Sequence, residues 1–183
     1  MGRRQVFGFL ALCITSMVVC KLGTPPGPME LQREPVDVFK AMEEFPYIVA
    51  ISDWDNDTIF ECLASKQMAI NPETHSATYA YFLPLSGKKL VFEITPGDSP
   101  GMLTLTSTED PQPRDGMVYY TDYETCVVAN LNLQGEGNLC TLWTRPQLKD
   151  NVPQHCIDQF VDVCGIIAPA HSRDLCPDGE GDY

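Results

Sequence analysis

Positive charge is scarce in this 183-residue chain, which has 12 Lys plus Arg against 25 Asp plus Glu and a formal net charge of −13. Nucleic-acid binding needs clustered cations to neutralise phosphates, so the composition argues against that class of partner. Histidine is equally sparse. His75, His155 and His171 lie far apart, and no serine or cysteine sits in a nucleophile-elbow context, so no catalytic apparatus is legible. The chain reads as non-enzymatic and without a cofactor. Close cysteine pairs are also lacking. Beyond the first twenty residues the shortest gap is Cys156 to Cys164, too wide for the C-x-x-C knuckles of a zinc site. Long apolar runs are confined to Val6–Val19, which follows Arg3 and Arg4 and is short for a bilayer. Residues 1–20 therefore read as a secretory signal, and the remainder as a secreted chain that neither spans nor binds a membrane.

Six cysteines remain once that signal is set aside: Cys62, Cys126, Cys140, Cys156, Cys164 and Cys176. An even count in an oxidising compartment implies three disulfides, although six thiols allow fifteen pairings and spacing does not choose among them. One domain is expected. Residues 21–34, rich in Pro and Gly, form a flexible arm, residues 35–177 form the domain, and residues 178–183 form an acidic tail.

Pro35 can open a helix whose apolar positions Val36, Phe39 and Met42 recur every three residues, and Pro46 ends it. From Tyr47 the period changes to two. Eight strands are predicted: Tyr47–Asp53, Thr58–Ile70, Thr74–Phe82, Lys88–Thr95, Gly101–Ser107, Gly116–Thr121, Glu124–Leu131 and Asn138–Arg145. Turn signals such as Ser86-Gly87, Pro96-Gly97 and Asp115-Gly116 separate them. A second helix runs from about Pro153 to Cys164, with Asp150 or Asn151 as its cap and Gly165 as its stop. Cys156, Phe160 and Cys164 share one of its faces.

Eight antiparallel strands between two helices suit a mainly β protein, an up-and-down barrel whose closure leaves no edge strand and whose interior holds one small ligand. An immunoglobulin-like sandwich is the rival, but it leaves the cysteine-bearing terminal helix without a role.

Asp53-Trp54-Asp55-Asn56-Asp57 begins like a calcium loop, then has Thr58 where glycine is needed and Ala64 where a bidentate glutamate is needed. It reads as a solvated turn, and no metal is expected. Asn56-Asp57-Thr58 is a glycosylation sequon, which makes Asn56 the expected attachment site.

Tyr120-Thr121-Asp122-Tyr123-Glu124-Thr125-Cys126, Cys140-Thr141-Leu142-Trp143, the run Asn151 to Phe160 and the closing Cys176 together resemble the salivary lipocalins of ticks, the histamine-binding-protein family. Asp37-Val38-Phe39-Lys40 and Phe60-Glu61-Cys62 extend the likeness upstream. The resemblance implies a lipocalin barrel with the C-terminal helix strapped to its wall. It also implies the bridges Cys62–Cys176 and Cys126–Cys156, which leave Cys140 and Cys164 for each other.

Amine binders of that family carry a carboxylate directly after the cysteine matching Cys126 and another two residues before the tryptophan matching Trp143. Val127 and Thr141 stand there in this chain, and Met117 stands at a further interior acid. The expected ligand is therefore small and hydrophobic (a sterol, fatty acid or eicosanoid), as in the japanin-like lipid-binding branch, with an effect on host immune or inflammatory defence. The expected contacts are Met117, Tyr119, Val127, Thr141, Trp143, Phe92, Leu103 and Leu105, with Leu90 and Ile94 of the same parity. Two alternatives stand beside this reading. One is a histamine or serotonin scavenger that uses Asp53, Asp55 or Glu93 as counter-charge. The other is a scaffold whose acidic surface and Ser107–Asp115 loop engage a host immune-cell protein.

Overall fold

The computed structural model describes residues 31–53, 62–84, 86–133, 139–165, 168–169 and 176. The signal at 1–20, most of the arm at 21–34, the Asn56 sequon with Asp55, and the tail at 178–183 lie outside the described residues.

The chain enters through helix α1 (Val38–Glu44) and then runs through eight antiparallel strands: β1 (Tyr47–Asp53), β2 (Ala64–Asn71), β3 (Ser76–Leu83), β4 (Lys88–Pro96), β5 (Met102–Ser107), β6 (Arg114–Thr121), β7 (Cys126–Leu131) and β8 (Leu139–Thr144). Helix α2 (Gln154–Cys164) follows, and a two-residue strand β9 (Ala168–Pro169) adds to β1. Each strand pairs with the next from β2 to β8, and β1 pairs with both β8 and β2. That second pairing of β1 closes the sheet into an up-and-down barrel and excludes the sandwich.

Several strand boundaries differ from expectation, β3 starting at Ser76 rather than Thr74 and β7 at Cys126 rather than Glu124 among them. β2 starts at Ala64 rather than Thr58, and β6 starts at Arg114, two residues early, because Leu103 to Leu105 of β5 pair with Gly116 to Arg114. Gly116 faces inward, and a side chain there would collide with the Cδ1 atoms of Leu103 and Leu105, which fill its place. The cap of α2 also differs. Pro153 occupies that position and no side chain caps the helix, whereas Gly165 ends it at φ +82°.

β7 and β8 are buried along their whole length because each has two covered faces. Val127, Ala129, Leu131, Leu139 and Trp143 point into the barrel. Cys126, Val128, Cys140 and Leu142 point outward and pack under Cys156, Phe160, Val163 and Cys164 of α2. The bridges Cys126–Cys156 and Cys140–Cys164 fasten that helix to β7 and β8, and Cys62–Cys176 ties the start of β2 to the chain beyond α2.

At one end of the barrel, α1 lies across the opening. Asp37 caps it by accepting from the Lys40 amide. The Tyr79 hydroxyl lies 3.0 Å and 3.1 Å from the Met42 and Phe45 carbonyls, to which it donates. Gln67 Nε2 donates to the same Met42 carbonyl at 2.8 Å and to the Tyr79 oxygen at 3.1 Å. Burial, offset in part by the Gln67 contact, pushes the Tyr79 hydroxyl up to about 12, so it remains a donor at every physiological pH. Tyr79→Phe is expected to lower stability by about 1–2 kcal/mol, since carbonyls at the end of α1 lose a buried donor. Chemical denaturation of the two proteins checks this, and an unchanged midpoint would show that the helix is held by packing alone.

Candidate functional site

Strand polarity places two layers inside the barrel. Leu63, Leu83, Leu105, Leu133 and Leu139 are buried near the strand ends remote from α1 and, with Phe92, pack that half of the barrel. Toward α1 the interior is less full. A cavity of about 70 Å³, open on one side, remains there. α1 supplies Val38, Ala41, Met42 and Phe45 to its wall, and the strands supply Ile48, Ser65, Tyr79, Tyr81, Ile94, Leu103, Val118, Val127, Ala129, Leu131 and Trp143.

The wall is apolar and aromatic, and none of the described residues on it is a carboxylate or a cation. Its few polar groups carry the chemistry. Trp143 pairs with Ala50 of β1 on one side and Val127 of β7 on the other, and its ring meets Tyr81 edge-on with centroids 6.1 Å apart. Its Nε1–H is buried without a hydrogen-bond partner. Ser65 Oγ, across the β2–β3 pair from Tyr81, makes at most a weak contact with the Tyr81 hydroxyl and is otherwise unpartnered. Burial first, then the neighbouring Tyr79, push the Tyr81 hydroxyl far above its ordinary range despite Ser65, so it stays neutral. Thr141, opposite Ala129, is fully buried with an unpartnered hydroxyl, one inward position beyond Trp143 and just behind the cavity wall.

Of the residues singled out from the sequence, Val127, Trp143, Leu103 and Ile94 line this cavity. Phe92, Leu105 and Thr141 are buried inside the barrel but do not reach the free space, and Leu90 is partly buried against the same core. Met117 and Tyr119 do not face the interior. Val118, between them, does, because β6 opposes Val118 to Ala129, slips at Tyr119 and opposes Thr121 to Val127. Tyr119 packs in the outer layer with α2, and Met117 pairs with Met102 away from the core. A one-residue bulge thus separates the parity of β6 from the simple alternation assumed for it. Glu93, offered as counter-charge for an amine, is exposed on the outer side of β4.

The sequence reading missed α1 as a wall of the site, along with Ser65, Tyr79 and Tyr81. The alternation of Ala77, Tyr79, Tyr81 and Leu83 points inward. It was masked because Ala80 on the same strand is buried too.

Outside the barrel, Asp122, His155 and the sulfurs of Cys126 and Cys156 converge within 4.8 Å. The two sulfurs are bonded to each other and offer no thiolate to a metal. Asp122 instead organises the β6–β7 turn, accepting from the amides of Glu124, Thr125 and Cys126, from the Thr125 hydroxyl and from His155 at 3.0 Å. Burial alone would raise its carboxyl, but these donors, Thr125 above all, hold it well below the ordinary carboxylate range. A depressed folded value means that stability is present above the unfolded pKa, about 3.9, and is lost as pH falls through the folded one. Asp122→Asn is therefore expected to cost about 1–2 kcal/mol at pH 7 and to flatten the loss of stability below pH about 4. Melting curves from pH 7 to pH 2 check both, and parallel curves for the two proteins would rule the carboxylate out.

The family model described as the tick histamine binding protein matches residues 33–171, which span both helices and all eight strands of the barrel. The chain belongs to this family. It is a lipocalin of a ligand-binding, non-enzymatic family. Among solved structures, the AM182 serotonin complex has a TM-score of 0.61 at 19% identity, covering 79% of this lipocalin and 95% of that chain. The siderocalin Ex-FABP matches at 0.46 with 15% identity, over 62% and 78% of the two chains. Per a 4, a major allergen from cockroaches, matches at 0.49 with 10% identity, over 83% and 99%. No curated protein matches this sequence.

Proposed function

We propose that this lipocalin is secreted, carries or sequesters a small, uncharged and mainly apolar ligand in the barrel, and thereby blunts host immune or inflammatory defence. The observation that carries this reading is the cavity wall, whose described residues are apolar or aromatic with neutral polar groups only. An ammonium placed there would be desolvated without a counter-charge, a loss of several kcal/mol. Size narrows the class. A 150 Å³ cavity holds benzene, so the 70 Å³ here admits a whole ring or a chain only if side chains shift. A slim, flexible chain asks for less displacement than a rigid sterol, and a fatty acid or eicosanoid fits this uncharged wall only with its carboxylate left outside it in water.

The second reading is a biogenic-amine scavenger, supported by the family match and by the serotonin bound to the AM182 barrel. It needs a carboxylate from outside the described wall. A role as a scaffold for a host protein has less support, since Arg114 ties the β5–β6 loop down through Asp110 and the Leu133 carbonyl.

The deciding experiment is to purify the protein from a eukaryotic secretory host, identify co-purifying small molecules by mass spectrometry, and titrate histamine and serotonin by calorimetry. A bound neutral lipid with negligible amine heats is expected. Submicromolar binding of either amine would transfer the conclusion to the second reading.

A further inference from the structure

The cavity contains a feature that a purely apolar ligand would leave unexplained. Trp143 Nε1 and Ser65 Oγ are both on its wall, in residues about 1% exposed; the first has no hydrogen-bond partner and the second none beyond a weak contact with the Tyr81 hydroxyl. A buried polar group left without a partner is costly, and two of them on the wall of one cavity call for something that enters to meet them. The two approach from opposite flanks of β1, since Trp143 pairs with Ala50 and Ser65 with Ile48. The Tyr81 ring spans the gap, pairing with Ser65 in register and meeting the Trp143 ring edge-on.

We propose that Trp143 Nε1–H and the Ser65 hydroxyl form a polar subsite that selects, among neutral apolar ligands, those carrying an oxygen acceptor such as a carbonyl, ether or hydroxyl. An indole N–H can only donate. It therefore rewards an acceptor, gives nothing to a hydrocarbon, and presents the positive end of its dipole to an ammonium. The Ser65 hydroxyl, elsewhere on the same wall, can donate to a ligand oxygen or accept from a ligand hydroxyl. A site built to bond a ligand oxygen rejects the analogue lacking it, because the buried groups then stay unpaired. The inference deepens the neutral-ligand reading above and depends on it.

The test compares acetophenone with ethylbenzene, probes of nearly equal size that differ in a carbonyl oxygen. Calorimetry or ligand-observed NMR is run on the wild type, Trp143→Phe and Ser65→Ala, each checked for fold by circular dichroism. Wild type is expected to prefer acetophenone by about tenfold, Trp143→Phe to reduce that ratio to near one while still binding ethylbenzene, and Ser65→Ala to give an intermediate ratio. Equal binding of the two probes by wild type, or a preference that survives Trp143→Phe, would overturn the subsite and leave the neutral-ligand reading standing. Binding of neither probe would overturn both. If Trp143→Phe fails to fold, the wild-type ratio and Ser65→Ala decide the matter: a wild-type preference that Ser65→Ala lowers supports the subsite, and one it leaves unchanged overturns it.

Discussion

Replacing Cys62 and Cys176 together by serine is expected to lower stability by about 4–5 kcal/mol, more than opening either of the other bridges. The chain between them spans 114 positions, against 30 and 24 for the bridges that hold α2. Closing the longest loop removes most entropy from the unfolded ensemble. For a domain of this size the melting temperature should fall by about 10–18 °C. Cys126–Cys156 and Cys140–Cys164 are worth about 3–4 kcal/mol each on the same argument. They also hold a helix that keeps Phe160 fully buried, so opening either should expose α2 to proteolysis before the barrel melts. Thermal melts of the three double-serine proteins, with limited proteolysis, rank the bridges. A shift below about 3 °C for the long loop would show that its residual unfolded structure cancels the entropic gain.

The double change Val127→Asp plus Thr141→Glu is expected to raise histamine affinity by about two to four powers of ten. Val127 is on the cavity wall, and Thr141 is inward and fully buried one position beyond Trp143, so two carboxylates would enter an interior whose described wall has none. The attraction recovered is about 3–5 kcal/mol when a buried ammonium gains its partner, at about 1.4 kcal/mol per decade. Stability should fall, because unliganded acids are desolvated there, and binding of an apolar probe should weaken. Calorimetry with histamine checks the gain. Nanomolar binding by the wild type would show that a carboxylate outside the described wall already serves. No gain in a folded double mutant would show that the ligand does not approach these two positions.

Much of the barrel was legible in the chain because the signals for it are local. Alternation in β3, β4 and β5, the turn dipeptides between strands, Pro46 after the first helix and Gly165 after the second all act over a few residues. The observed β1 has the expected bounds, Tyr47–Asp53. The acids missing at Val127 and Thr141 were also plain from the residues themselves. What resisted reading depends on pairs distant in sequence. The parity of β6 turns on a bulge at Tyr119, which exists only because β7 opposes Val118 and Tyr120 with adjacent residues, Ala129 and Val128.

The residues by themselves determined the β-rich class, the even cysteine count and the want of cations and catalytic groups, since composition and period need no partner to be read. Tertiary structure alone decided which inward residues meet free space. Phe92, Leu105 and Leu103 share one inward parity, yet only Leu103 lines the cavity. The difference is that α1 supplies the cavity wall at its end while five buried leucines fill the interior toward the other. It also decided that Ser65 and Trp143, 78 positions apart in the chain, stand on either side of one strand with Trp143 Nε1 unmet and Ser65 Oγ nearly so. A hydrogen bond left unmade is a property of the packed whole, and no local pattern encodes it.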